Sequence, residues 1–275
     1  MKISILGHGV FGEAITAHLS RLNHDVYIDK IQDSEIIFVC VPSFAVLSVL
    51  SGYGDEIKDQ KIIICSKGFS SDGRMLSQAL SDHFSSRNIF FFYGPTIAEE
   101  IKSDVFSGVV LAGGDGKEDI KKQIESKNLI VELTDDIVGV QVGAAMKNVV
   151  TIFVGIAEGA GYGQNTQAYI LTRGVQEIQR LGVALGADPC TFVGLTCLGD
   201  LYVRSRNRLL GVGIGKGRNI DEIISEMNYA QEGITMIKNS KIISEKMGVN
   251  LPFVDILRSI IFEGASIDEG IRKIS

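Results

Sequence analysis

The chain has 275 residues, 45% hydrophobic and 22% charged, with 27 Lys+Arg against 33 Asp+Glu and a formal charge of −6. This is globular composition with material for one large or two modest cores, and without a clustered basic stripe it excludes a nucleic-acid-binding footprint. The opening run, residues 1–7, is too short for the apolar core of a signal peptide. The apolar stretches at residues 36–41 and 89–92 are strand-sized and far below a membrane span, so no membrane insertion is expected. Cys40, Cys65, Cys190 and Cys197 form no CxxC pair and the four histidines are scattered. They predict small core thiols in a reducing cytoplasm and no metal site.

In chain order, residues 2–6 read as a strand and 11–22 as a helix. Residues 25–29, 35–41, 61–66, 89–93 and 108–113 read as further strands, with helices around 44–50 and 74–84. Most strand runs are continuously apolar, the pattern of parallel strands covered on both faces, and their alternation with helices predicts an α/β fold with a Rossmann-type parallel sheet. Beyond about residue 133 only helix-compatible stretches remain. Asp135-Asp136 can cap a long helix through Gln141, Ala145 and Val149, with Gly139 and Gly143 allowing other helices to approach. The expected organisation is a dinucleotide-binding Rossmann domain, 1–134, joined tightly to an all-α substrate and catalytic domain, 135–275.

Gly7-His8-Gly9-Val10-Phe11-Gly12 matches GxGxxG, follows a strand and opens a helix, the setting the motif requires. Its glycines permit a tight turn and let a pyrophosphate approach the free N–H groups of the helix start. Gly7, Gly9, Val10, Phe11 and Gly12 are therefore candidate cofactor contacts. Asp29 stands about twenty residues on, where an acid accepts from the adenosine ribose. Its charge disfavours a 2′-phosphate, and although Lys30 partly offsets this, the reading leans to NAD(H) over NADP(H). Residues 30–34 alone link Asp29 to the next strand, where a parallel crossover normally takes a dozen or more. Five extended residues span roughly 17 Å, enough to return to the sheet base without a helix and to leave the adenine side thin and open.

Hydride transfer to a ketone needs a held nicotinamide, a proton donor and an anchor for the rest of the substrate. Lys147, in Ala145-Met146-Lys147-Asn148-Val149, sits on an otherwise apolar helix, where burial lowers a lysine towards the range useful for acid–base work. The plain alternative is a solvated charge. Ser205-Arg206-Asn207-Arg208 offers two guanidiniums, an amide and a hydroxyl for an anion, or else a solvated basic turn. Asp200 provides a carboxylate to orient the lysine or to accept from a substrate hydroxyl. Lys67-Gly68 and Gly94-Pro95-Thr96 each follow a strand end on the side where α/β sheets bind ligands.

Taken in order, Gly7 to Gly12, Lys67-Gly68, Gly94 to Glu100, Met146 to Val149, Asn165 through Gly174, Thr191 to Leu195, Gly199-Asp200-Leu201, Ser205 to Arg208 and Gln231-Glu232-Gly233 resemble the bacterial glycerol-3-phosphate dehydrogenase family over almost the whole chain. The resemblance implies NAD(P)H-dependent reduction of dihydroxyacetone phosphate to sn-glycerol 3-phosphate, a phospholipid precursor, by a homodimer. It gives Lys147 the acid/base role beside Asp200, and a substrate site of Lys67, Gly94, Thr96, Lys147, Asp200, Ser205, Arg206 and Asn207, with Arg206 and Asn207 on the phosphate. Lys67, Ala98, Arg206, Ala230 and Glu232 are implied to reach the dinucleotide.

The chain departs from the family in lacking a block with a helix after the second strand and the usual basic position near the adenosine. It also has only Tyr202-Val203-Arg204 where relatives carry a longer polar segment, and Thr196-Cys197 where they carry small residues. Two other readings stay open at this stage: a two-domain reductase of the β-hydroxyacid dehydrogenase type, and a non-catalytic dinucleotide-binding protein.

Overall fold

A computed structural model describes residues 1–203, 205–227 and 232–274. Its first half runs β1 (Lys2–Leu6), α1 (Val10–Arg21), β2 (Asp25–Ile28), β3 (Ile36–Val39), α2 (Val46–Gly52), β4 (Lys61–Ile64), α3 (Leu76–Ser81), β5 (Ile89–Tyr93), α4 (Ala98–Lys102), β6 (Ser107–Gly113), α5 (Lys117–Ile124) and β7 (Leu129–Thr134). The strands form one sheet in the order β2-β1-β3-β4-β5-β6-β7. Ile36 to Val39 and Phe90 to Phe92 are buried, which is why their runs carry no alternation. Apolar cores lie on both faces of the sheet.

The sheet departs from the expected pattern in two ways. β6 runs antiparallel to β5 while every other pairing is parallel, a direction that side-chain periodicity does not encode. β7 was not anticipated: its outer position leaves Ile130 and Glu132 exposed between buried Leu129 and Val131, so it lacks the continuous apolar run of the inner strands. The link from β2 to β3 does return without a helix. It bends through left-handed residues, Asp29 (φ 50), Gln32 (φ 29) and Asp33 (φ 53), and is tied to the sheet by Ser4 Oγ, bonded to the Lys30 carbonyl (2.5 Å) and to Ser34 Oγ (2.7 Å). Because β1 has β2 on one side and β3 on the other, the order in which strands are added reverses there, and a crevice opens at the C-terminal strand ends.

The remainder is helical: α6 (Ile137–Gly159), α7 (Gln164–Ala184), α8 (Asp200–Tyr202), α9 (Arg206–Gly215), α10 (Ile220–Ser225), α11 (Glu232–Lys238), α12 (Ser240–Met247), α13 (Pro252–Phe262) and α14 (Ile267–Lys273). Asp136 caps α6, its Oδ1 accepting from Gly139 N at 2.8 Å, and a second oxygen accepts from Asp188 N at 3.0 Å. The expectation that apolar runs are only strand-sized fails at α6. Its 23 residues include a window of mean hydropathy 1.7, long and apolar enough to cross a membrane, but 89% of that window is buried inside the protein.

α6 is the axis of the molecule. Val140 and Ala144 pack into one sheet core, while Val142, Ala145, Met146 and the rest of the helix enter the helical core. α9 lies directly on it: a Cβ on Gly155 would stand 2.3 Å from the Arg208 carbonyl oxygen, and one on Gly211 2.2 Å from that of Ile152. Backbone-to-backbone contact of this kind fixes α9 along α6 and sets Asn207 beside Asn148.

Candidate active site

The glycine-rich turn joins β1 to α1 at the crevice. Gly7 has φ 97, and a Cβ on Gly12 would fall 2.1 Å from the Gly7 carbonyl oxygen, so both positions exclude side chains. A Cβ on Gly9 meets nothing within 4 Å. Gly9 is the N-cap of α1 and makes no side-chain cap bond, which leaves the first-turn N–H groups available to an anion. Asp29 is exposed at the end of β2, and its Oδ1 accepts from Gly7 N at 2.8 Å. The carboxylate therefore braces the glycine turn, a role not read from the sequence.

A cleft of about 450 Å³ is lined by Gly9, Val10, Phe11, Lys67, Thr96, Arg206 and Glu232, with Cys40, Val41, Pro42, Cys65 and Ser66 from the ends of β3 and β4. A larger hollow of about 820 Å³ lies at the opposite ends of the strands, between residues such as Glu35, Lys61 and Gly116, and holds none of the candidate residues. The smaller cleft is where the chemistry converges. Its open glycine face and uncapped helix start fit a dinucleotide.

Behind Lys67 of the cleft wall, and not themselves among the residues that line the cleft, Asp200 and Lys147 meet, and Asp200 joins the two halves of the molecule. Its Oδ2 receives Lys67 Nζ at 2.8 Å and its Oδ1 receives Lys147 Nζ at 3.0 Å. Lys67 also donates to the Gly94 carbonyl at 2.8 Å and lies 3.4 Å from Thr96 Oγ1. Asp200 and Lys147 are 3% and 5% exposed, so the pair is desolvated. Burial pulls Lys147 below the ordinary lysine value, opposed by Asp200 and reinforced by Lys67. For Asp200 burial acts upward, but the two ammonium groups outweigh it and hold the carboxyl below its usual range. Asp200 is delivered by a wide π-helical turn, Leu195–Gly199, with Gly199 N bonded to Gly194 O at 3.1 Å; such turns recur at functional sites.

Ser205 is the N-cap of α9, and Arg206 opens the helix and lines the cleft. Asn207 Nδ2 donates to Asn148 Oδ1 at 2.9 Å. Ser205 Oγ and Asn207 Oδ1 are buried without a hydrogen-bond partner among the described residues, as polar atoms are where a ligand completes them. The anion cluster read from the sequence loses one member. Arg208 turns away, to Glu158 at 2.7 Å and Gln167 at 2.6 Å, because three successive helical residues cannot share a face.

Glu232 begins α11 and is partly buried, with Oε1 accepting from Ser43 N at 2.9 Å. Burial raises its carboxyl to about 7 against the bonds from Ser43 and the nearby Lys67 and Lys147. Ala98 starts α4 beyond the residues that line the cleft. Ala230 lies outside the described residues, as do Arg204 and Gln231 of the quoted segments. Sequence reasoning missed Ser43, Asn148 as the partner of Asn207, and the cysteine pair in the cleft wall. Position after a strand end was the available signal for Ser43.

Two family models match the chain: the NAD-dependent glycerol-3-phosphate dehydrogenase N-terminus over residues 27–119 and the C-terminus of the same family over residues 136–272. A relative from Thermoanaerobacter sp., a glycerol-3-phosphate dehydrogenase [NAD(P)+], is 33% identical over 320 positions, covering 100% of this chain and 96% of its own length. A Clostridium tetani protein of the same name is 37% identical over 241, covering 83% of this chain and 68% of its own. The crystal structure of glycerol-3-phosphate dehydrogenase from Coxiella burnetii superposes with a TM-score of 0.92 at 24% identity, covering 99% of this chain and 98% of that one. The first alignment is longer than the 275-residue chain, so that relative carries segments this chain lacks. By its ordered motifs, its fold and these matches, the chain belongs to the NAD-dependent glycerol-3-phosphate dehydrogenase family.

Proposed function

We propose that the chain interconverts dihydroxyacetone phosphate and sn-glycerol 3-phosphate with NAD(H) or NADP(H), leaning to NAD(H), and that the cluster of Lys147, Asp200 and Lys67 is its reactive centre. The observation that carries this reading is the desolvated Lys147, held 3.0 Å from Asp200, whose other oxygen holds Lys67 of the cleft wall. The bound nicotinamide supplies or accepts the hydride. Lys147 gives a proton to the carbonyl oxygen during reduction and takes one back in the reverse direction. Asp200 keeps Lys147 protonated and aimed, while Lys67, fixed by Asp200 and the Gly94 carbonyl, points a second ammonium at the same oxygen or its neighbour. Glu232, Arg206 and the glycine turn form the dinucleotide wall, with Ala98 and Ala230 as further contacts and Asp29 on the ribose.

The phosphate is assigned to the start of α9. There Ser205 Oγ, the first-turn N–H groups and Arg206 converge beside Asn207. A joint half-turn of the Asn148 and Asn207 amides keeps the bond between them and presents an Asn207 N–H donor to the ligand. Residues 1–134 act as the cofactor domain and 135–275 as the substrate domain. The homodimer, the cytoplasmic location and the supply of phospholipid synthesis belong to the same proposal, carried over from the family.

Steady-state oxidation of NADH and NADPH with dihydroxyacetone phosphate and unphosphorylated dihydroxyacetone, side by side, tests it. Rapid turnover with the phosphorylated ketone alone is expected, faster with NADH. Equal rates on both ketones overturn the phosphate site, and no turnover on either overturns the assigned reaction.

A further inference from the structure

The cleft wall holds two thiols with no part in the chemistry above. Phe38 of β3 is in register with Ile63 of β4. Two residues on, along the same face, stand Cys40 and Cys65, and both line the cleft. The strands stay paired on either side of them: Cys65 N donates to Val39 O at 3.0 Å, and Ser66 Oγ donates to the Val41 carbonyl. Neighbouring strands lie roughly 4.8 Å apart, inside the roughly 4.4–6.8 Å Cα separation that a disulfide bridges. Cys40 Cβ also lies 3.5 Å from where a Cβ on Gly12 would be, so this thiol is part of the floor under the glycine turn.

We propose that Cys40 and Cys65 are an oxidative modification site, a dithiol that hydrogen peroxide converts to a cross-strand disulfide and that thereby lowers dinucleotide affinity. Cys40 is the less buried of the two and faces the cleft, so it meets the oxidant first. Its thiolate attacks a peroxide oxygen, the O–O bond breaks, and hydroxide leaves with Cys40 as a sulfenic acid. The Cys65 sulfur then attacks the Cys40 sulfur, forming the S–S bond and expelling the second hydroxide. The two thiol protons neutralise the two hydroxides, so two thiols and one peroxide give one disulfide and two waters. Burial, with Cys40 alongside, pushes the Cys65 thiol well above its ordinary value, while Lys67 acts in the opposite direction. Cys65 is thus a poor nucleophile towards a free peroxide, and acts only on the neighbouring sulfur. Bond formation draws the Cys40 sulfur towards β4 and away from the glycine turn. Its effect on NADH rests on this cleft being the dinucleotide site; formation of the bond itself does not.

The test treats the full chain with hydrogen peroxide, with and without saturating NADH, and maps the peptides by mass spectrometry before and after dithiothreitol. The expected product is a Cys40–Cys65 cross-link, lighter by about 2 Da than the two free peptides. It should be reversed by dithiothreitol, slowed by NADH and accompanied by loss of NADH affinity. In Cys65→Ser, Cys40 should accumulate as a dimedone-labelled sulfenic acid. Oxidation of Cys40 to sulfinic or sulfonic acid without a link to Cys65, or disulfides formed only through Cys190, would overturn the site, and the wild-type map decides this even if the variant does not fold. A link that forms at the same rate with NADH present and leaves its affinity unchanged overturns the coupling to the cofactor and counts against placing the dinucleotide here.

Discussion

At the scale of single residues, the site is governed by how few charges are withdrawn from solvent, wholly or in part, and how each is answered. Asp200 takes one lysine on each oxygen. Glu232 has a backbone N–H but no ion pair at bonding distance among the described residues, and its carboxyl is raised from 4.5 to about 7. Since the folded state holds this proton more tightly than the unfolded chain, the stabilisation is complete below the unfolded value and is lost as pH rises through about 7. The full effect is on the order of 3 kcal/mol. Glu232→Gln keeps an oxygen for Ser43 N and removes the titration. Urea unfolding from about pH 5 to about pH 8 should show wild-type stability falling more steeply than that of Glu232→Gln. Parallel curves would mean that Glu232 is ionised throughout.

At the scale of elements, what the sequence made legible depended on burial. The inner strands declared themselves because both their faces are covered, and Asp136 announced α6. β7 did not, because its exposed Ile130 and Glu132 break the apolar run. The short α4 and the charged α5, Lys-Glu-Asp-Ile-Lys-Lys-Gln-Ile, bury too few residues to stand out. Lys147 and Lys67 were legible as candidates, but their meeting on Asp200 is a product of packing across distant segments. The same holds for Arg208, which looked like a second phosphate ligand until the helical turn faced it towards Glu158.

The glycine turn allows an element-scale prediction. Gly9 has φ −84 and ψ −176, a conformation alanine adopts, and its Cβ would enter open space. Gly9→Ala should therefore melt like wild type without ligand, yet weaken NADH by about tenfold or more by occupying the approach to the pyrophosphate. Gly12→Ala, with its Cβ 2.1 Å from a backbone oxygen, should lower the melting temperature as well. Wild-type NADH affinity in Gly9→Ala, measured by fluorescence titration, would place the dinucleotide elsewhere.

At the scale of the whole molecule, the proposed reactive centre is assembled because the sheet and the helical region share α6. Lys67 arrives from just beyond β4, Lys147 from the middle of α6, and Asp200 from the start of α8, directly after the π-helical turn. The central claim is that this convergence makes Lys147 the proton donor to the substrate. The measurement that tests it most directly is the turnover of Lys147→Ala on dihydroxyacetone phosphate, alongside its NADH affinity and thermal melt. Asp200 keeps Lys67 as its partner in that variant, so folding and cofactor binding should survive while kcat falls by about 10²–10⁴-fold. Near-normal turnover in a folded, NADH-binding Lys147→Ala protein would contradict the account.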